Sequence, residues 1–83
     1  MDSRLLALGR KIRALREDKE ISQEEMAARA KLDRAYYGGI ERGERNVAAL
    51  NLIKISVALN VEVGELFPKL ATLRRTGGKD GRK

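Results

Sequence analysis

Apolar residues recur along this chain at helical spacing, and no stretch alternates apolar and polar positions as a strand does. Leu5, Leu8, Ile12 and Leu15 form one face of a helix expected over about 3–18, capped by Ser3, with Arg10, Lys11, Arg13 and Glu17 outside the stripe. Ser22-Gln23-Glu24-Glu25 opens a second helix: a serine followed three residues later by glutamate is a capping box. That helix runs to about Ala30, with Met26, Ala27 and Ala30 inward. Asp33 caps a third, which buries Tyr37 and Ile40 and stops at Gly43.

A fourth helix, about 48–59, carries two apolar stripes. Leu52, Ile55, Ser56 and Leu59 make one; Leu50, Ile53 and Val57 make the other. A helix apolar on two sides needs two partners, and only one of them is the domain's own core. A short fifth helix is expected over 63–67, and Pro68 opens a further turn over 69–75 carrying Leu70 and Leu73. Gly77, Gly78 and Gly81 among basic residues predict a flexible tail rather than a helix. The expected fold is all-α, a five-helix bundle: a domain over 1–68, an extension over 69–75 and a basic tail over 76–83.

With 83 residues the chain is one small domain with a modest core, which favours pairing with a second copy. It has neither cysteine nor histidine, which removes disulfides, the usual zinc sites and nucleophilic Ser–His or Cys–His chemistry. No nucleotide-binding glycine loop is present, and the chain is too small for a deep pocket. No catalytic residue, metal, cofactor or small-molecule ligand is therefore expected, and the chain does not read as an enzyme. Its apolar runs are too short to span a membrane and no signal peptide is visible, so the expected location is the cytoplasm.

The net charge of +6 suggests an anionic partner, but its distribution qualifies this. The first 68 residues carry 12 basic and 11 acidic side chains, whereas 69–83 carry six basic and one acidic. Recognition of double-stranded DNA then depends on particular positions, and the tail adds nonspecific, salt-sensitive affinity.

Those positions lie between Gln23 and Glu41. The second and third helices are separated by about three residues, which forces the sharp crossing of a helix-turn-helix. Ala27 must be small because the third helix crosses over it. With Leu32, Tyr37 and Ile40 inward, Arg34, Ala35, Tyr36, Gly38 and Gly39 remain on or near the opposite face, at the end that enters a major groove. Arg34 is the first candidate for base readout, since a guanidinium can bind guanine O6 and N7 together. Ala35 can touch only a thymine methyl. Tyr36 either contacts sugar or phosphate or packs partly against the domain. Gly38 and Gly39, each costing about 1 kcal/mol in a helix, either permit a close approach or loosen the helix until it binds.

Gln23, Ala27, Leu32, Tyr37 and Ile40, followed by Ile40-Glu41-Arg42-Gly43 and Glu65-Leu66-Phe67, resemble the Cro/repressor family of lambda-repressor-like DNA-binding domains over about 5–67. Within it, Leu32-Asp33-Arg34-Ala35-Tyr36-Tyr37-Gly38-Gly39-Ile40-Glu41-Arg42-Gly43 looks most like the controller proteins of restriction–modification systems. The resemblance implies a phosphate contact for Gln23 and a structural ion pair between Arg16 and Glu41. Arg42, Arg45 and Asn46, in the loop before the fourth helix, are candidates for the DNA backbone or groove edge. Two departures stand out: Lys31 occupies the turn position usually held by glycine, and Val47-Ala48 replaces the usual Pro followed by Ser or Thr, leaving Asn46 to cap the fourth helix.

Such regulators bind paired half-sites as dimers. The unassigned stripe Leu50, Ile53 and Val57, with Leu70 and Leu73, is the expected homodimer surface; the alternative is that the tail folds back over it. Glu24, outside the apolar face of the second helix, is a candidate contact for RNA polymerase, against the simpler role of a carboxylate at a positive helix end. The overall expectation is a dimeric, sequence-specific transcriptional regulator. The alternative is an antitoxin or other protein-interaction module on the same fold.

Overall fold

Each of the first four helices ends in the same backbone motif, and that motif sets the turns that bring the helices together. In the computed structural model, which describes residues 2–81 with side chains through position 75, these are α1 (Ser3–Asp18), α2 (Gln23–Ala30), α3 (Arg34–Glu41) and α4 (Ala49–Leu59). A 3-10 turn, Val63–Leu66, and α5, Leu70–Gly81, follow. Glu20, Lys31 and Asn60 (φ 58° each) and Gly43 (φ 77°) take the left-handed conformation just after α1, α2, α4 and α3 respectively. The following N–H then reaches back to the helix: Ile21 to Arg16 O, Leu32 to Ala27 O, Glu44 to Gly39 O and Val61 to Ser56 O, at 2.9–3.2 Å. Of these four residues only Gly43 is a glycine. Lys31, in the turn position usually held by glycine, takes the left-handed conformation that a side chain disfavours, and the same arrangement recurs at Glu20 and Asn60, where no glycine signal marks it.

The helix starts differ from expectation in three places. Asp2 rather than Ser3 caps α1, its carboxylate accepting the Arg4 N–H at 2.7 Å; a full negative charge suits the positive helix end better than a hydroxyl. Ser22 accepts the Glu25 N–H at 3.0 Å, but the Glu25 carboxylate turns outward to Arg29, so only half of the capping box forms. Ala48, with no side-chain bond, starts α4 in place of Asn46, which stands two residues too early to reach the first-turn amides.

Leu8 and Ile12 of α1, Met26 and Ala30 of α2, Tyr37 and Ile40 of α3, and Ile55 and Leu59 of α4 meet in one core, closed beneath by Leu66 of the 3-10 turn. Burying each of the larger side chains contributes about 1.5–3 kcal/mol. Ala27 is buried on α2, which packs against both α3 and α4. The backbone is helical through Gly81, where a flexible segment is expected from Thr76; positions 82 and 83 lie outside the described residues. A glycine costs about 1 kcal/mol in a helix, which a helix already propagating from Leu70 can absorb. α5 packs on α1.

Candidate nucleic-acid interface

The orientation of α3 is fixed from its buried side. Asp33 caps it, accepting the Tyr36 N–H at 3.0 Å, and Tyr37 and Ile40 enter the core. One turn later Glu41, also buried, gathers three helices. Arg16 of α1 donates to it through Nε at 2.7 Å and Nη2 at 3.1 Å. Gln23 of α2 donates through Nε2 at 2.9 Å, and the Tyr37 hydroxyl donates to the second oxygen. Arg16 has a further partner in Ile21 O at 2.7 Å. Burial alone raises the Glu41 carboxyl, but the hydrogen bonds from Arg16, Tyr37 and Gln23 outweigh it and hold the group below its ordinary value. Arg16 is raised by its bond to Glu41, and Tyr37 is raised by burial and by the same carboxylate. All three are therefore locked in one protonation state near neutral pH.

The structure thus brings Arg16 and Glu41 together and adds Gln23 and Tyr37 to them. The Gln23 amide, a candidate for a phosphate contact, donates to Glu41 here, since a buried carboxylate draws in the donors within reach.

Arg34 and Ala35 are exposed at the start of α3, and among the described residues Arg34 has no acidic partner. Tyr36 is half-buried rather than fully outward: it packs against the core, and its hydroxyl accepts from Asn51 Nδ2 at 3.0 Å. Gly38 and Gly39 are buried and do not present open backbone. Arginine side chains from the following loop lie over them. A Cβ on Gly38 would stand 3.1 Å from an Arg42 guanidinium nitrogen, and one on Gly39 3.2 Å from Arg45 Cγ. Arg42 is also paired with Glu44 at 3.0 Å, and the Arg45 guanidinium sits 5.6 Å from the centre of the Tyr36 ring. Asn46 is exposed. Arg42 and Arg45 thus fold back over Gly38 and Gly39, while Arg34 stands exposed at the start of α3. Sequence reasoning missed Asn51 and the loop arginines that approach Gly38 and Gly39; no local pattern signals either.

Away from this face, Leu50 (61% exposed), Ile53 (50%) and Val57 (72%) stand in one uncovered row on α4. Among the described residues nothing covers this row. Leu70 is exposed and Leu73 half-buried on α5, which packs against α1. Glu24 is exposed at the start of α2. Among the described residues no group of acidic, cysteine or histidine side chains could hold a metal, and no helix is long and apolar enough to cross a membrane.

Residues 12–66 match the helix-turn-helix family. The chain is similar to control protein C.MunI of a Mycoplasma species, 48% identical over 63 residues that cover 75% of this chain and 85% of that protein. Control protein C.BamHI of Bacillus amyloliquefaciens is 45% identical over 63 residues, 75% of this chain and 78% of that one. The crystal structure of the restriction–modification controller protein C.AhdI from Aeromonas hydrophila is similar with a TM-score of 0.77 at 46% identity, covering 78% of this chain and 98% of that chain.

Proposed function

Since the chain belongs to the helix-turn-helix family and stands among its restriction–modification control proteins, we propose that it is a transcriptional regulator that binds a two-fold-symmetric DNA site as a homodimer. The observation that carries this reading is the α3 surface: Arg34 exposed at its N-terminal end and without an acidic partner among the described residues, with Tyr37, Ile40 and Glu41 anchoring the other side. In this reading α3 enters the major groove, Arg34 binds a guanine edge, and Ala35 leaves room for a thymine methyl. Arg42, Arg45 and Asn46 supply contacts to the backbone and groove edge.

The exposed row Leu50, Ile53 and Val57 supports the homodimer. Three large apolar side chains on one helix row are costly to leave in water, and a two-fold partner covers them with its own copy. In this reading the protein works in the cytoplasm. The exposed Glu24 supports a contact with RNA polymerase; in vitro transcription with Glu24→Gln tests it, since normal activation with normal DNA binding would remove that contact.

Selection from a random duplex library tests the reading as a whole. Enrichment of an inverted repeat with half-sites about one DNA turn apart is expected. A library that yields no sequence, with affinity that only collapses as salt rises, would overturn it.

A further inference from the structure

Asn51 stands at the first turn of α4, outside the recognition helix, yet its side chain ends on that helix. Its Nδ2 donates to the Tyr36 hydroxyl at 3.0 Å. The Tyr36 ring, half-buried against the core, in turn carries the Arg45 guanidinium at 5.6 Å from its centre. Gly39 completes the arrangement: a Cβ there would stand 3.2 Å from Arg45 Cγ and 3.4 Å from Nε, so a larger residue would push Arg45 outward by a few tenths of an ångström. Three residues from two helices thus converge on one arginine that, among the described residues, has no acidic partner. A long, rotamer-rich side chain held in advance of binding loses less entropy when it binds.

We infer that Asn51 is a positioning residue for DNA recognition: through Tyr36 it holds Arg45, over Gly39, in the conformation that meets an acceptor on DNA beside the one read by Arg34. The inference rests on the proposed DNA-binding function. The link has a clear division of labour. The Tyr36 ring supplies the cation–π surface. Asn51 fixes that ring, and Gly39 supplies the space. Because Asn51 lies between Leu50 and Leu52, the same helix that carries the uncovered apolar row also supports the reader.

The test is a double-mutant cycle measured on the site selected by wild type, with Asn51→Ala, Tyr36→Phe and Arg45→Ala alone and in pairs. Asn51→Ala and Tyr36→Phe each break the hydrogen bond and leave the ring. Each is expected to weaken binding to the selected site about three- to tenfold. Neither is expected to weaken binding further in the Arg45→Ala background. The base preference lost by Asn51→Ala should be the one lost by Arg45→Ala. If Arg45 meets a base edge, the loss falls on one base pair of each half-site; if it meets phosphate, the loss is uniform and the salt slope shrinks. Additive losses, or wild-type affinity in Asn51→Ala and Tyr36→Phe, would overturn the inference. Failure of wild type to select any site would instead overturn the function on which it rests.

Discussion

Gly9 of α1 faces the carbonyl oxygen of Glu41 so closely that a Cβ on Gly9 would stand 2.5 Å from it. The two helices meet backbone to backbone at this point, and two turns further along α1 Arg16 reaches the Glu41 carboxylate. Gly9→Ala is expected to force α1 away from α3 and destabilise the domain by about 1–3 kcal/mol. For a domain of this size that lowers the unfolding midpoint by roughly 4–8 °C per kcal/mol. Thermal unfolding measures it directly; an unchanged midpoint would show that α1 does not sit against α3 this way.

The buried pair itself makes stability depend on pH. Glu41 is held below its ordinary 4.5 in the folded protein, burial opposing and the hydrogen bonds from Arg16, Tyr37 and Gln23 prevailing. A carboxyl depressed by folding contributes stability that is fully present above its unfolded value and is lost as pH falls through the folded value. Asp2, lowered to about 2 chiefly by its side-chain hydrogen bond with Arg4, titrates in the same direction. The comparison therefore belongs in an Asp2→Asn background. There, wild-type Glu41 should give a steep loss of stability below pH 4.5 and Glu41→Gln a flatter one. Near neutral pH Glu41→Gln should be less stable by about 3–5 kcal/mol, the cost of leaving Arg16 buried without its counter-charge. Urea unfolding at a series of pH values separates the two effects.

Left-handed residues at helix ends predict opposite signs for two substitutions. Lys31 takes φ 58° with a side chain that is exposed, so Lys31→Gly relieves a strain of about 1–2 kcal/mol and is expected to raise stability after the entropy of glycine is subtracted. Gly43→Ala is expected to lower it sharply, since φ is 77° and a Cβ would stand 2.6 Å from Leu6 Cα. Denaturant midpoints of the two variants should lie on opposite sides of wild type.

Much of this architecture is legible in the sequence, because helical faces follow from spacing alone. Ile12, Met26, Tyr37, Ile40, Ile55 and Leu59 all read as inward and all are buried. The uncovered row on α4 reads as surplus for the same reason. The missed features share a cause: each depends on which helices meet and at what distance. Gly9 looks like a weak helix position until α3 is seen to lie against it. Gly38 and Gly39 read as permitting a close approach, but only the fold shows the loop arginines lying against them. The turns at Glu20 and Asn60 carry no glycine, and the bond from Asn51 to Tyr36 spans 15 positions without any motif to announce it.

The homodimer surface has its own test. Ile53→Asp places a charge in the middle of the exposed row while leaving the core untouched. Sedimentation should then report the mass of a single chain in place of a pair, with the circular dichroism of a folded helical domain. An unchanged mass would mean that the row lies outside the dimer interface.

The central claim is that Arg34 reads DNA from the exposed end of α3. The most direct measurement is the base preference of wild type and Arg34→Ala across all single substitutions of the selected site, at two salt concentrations. Arg34→Ala is expected to lose discrimination at one base pair in each half-site, by about 1–3 kcal/mol, and to keep its preferences elsewhere. A uniform loss at every position, erased by salt, would contradict the account and reduce Arg34 to a general cation.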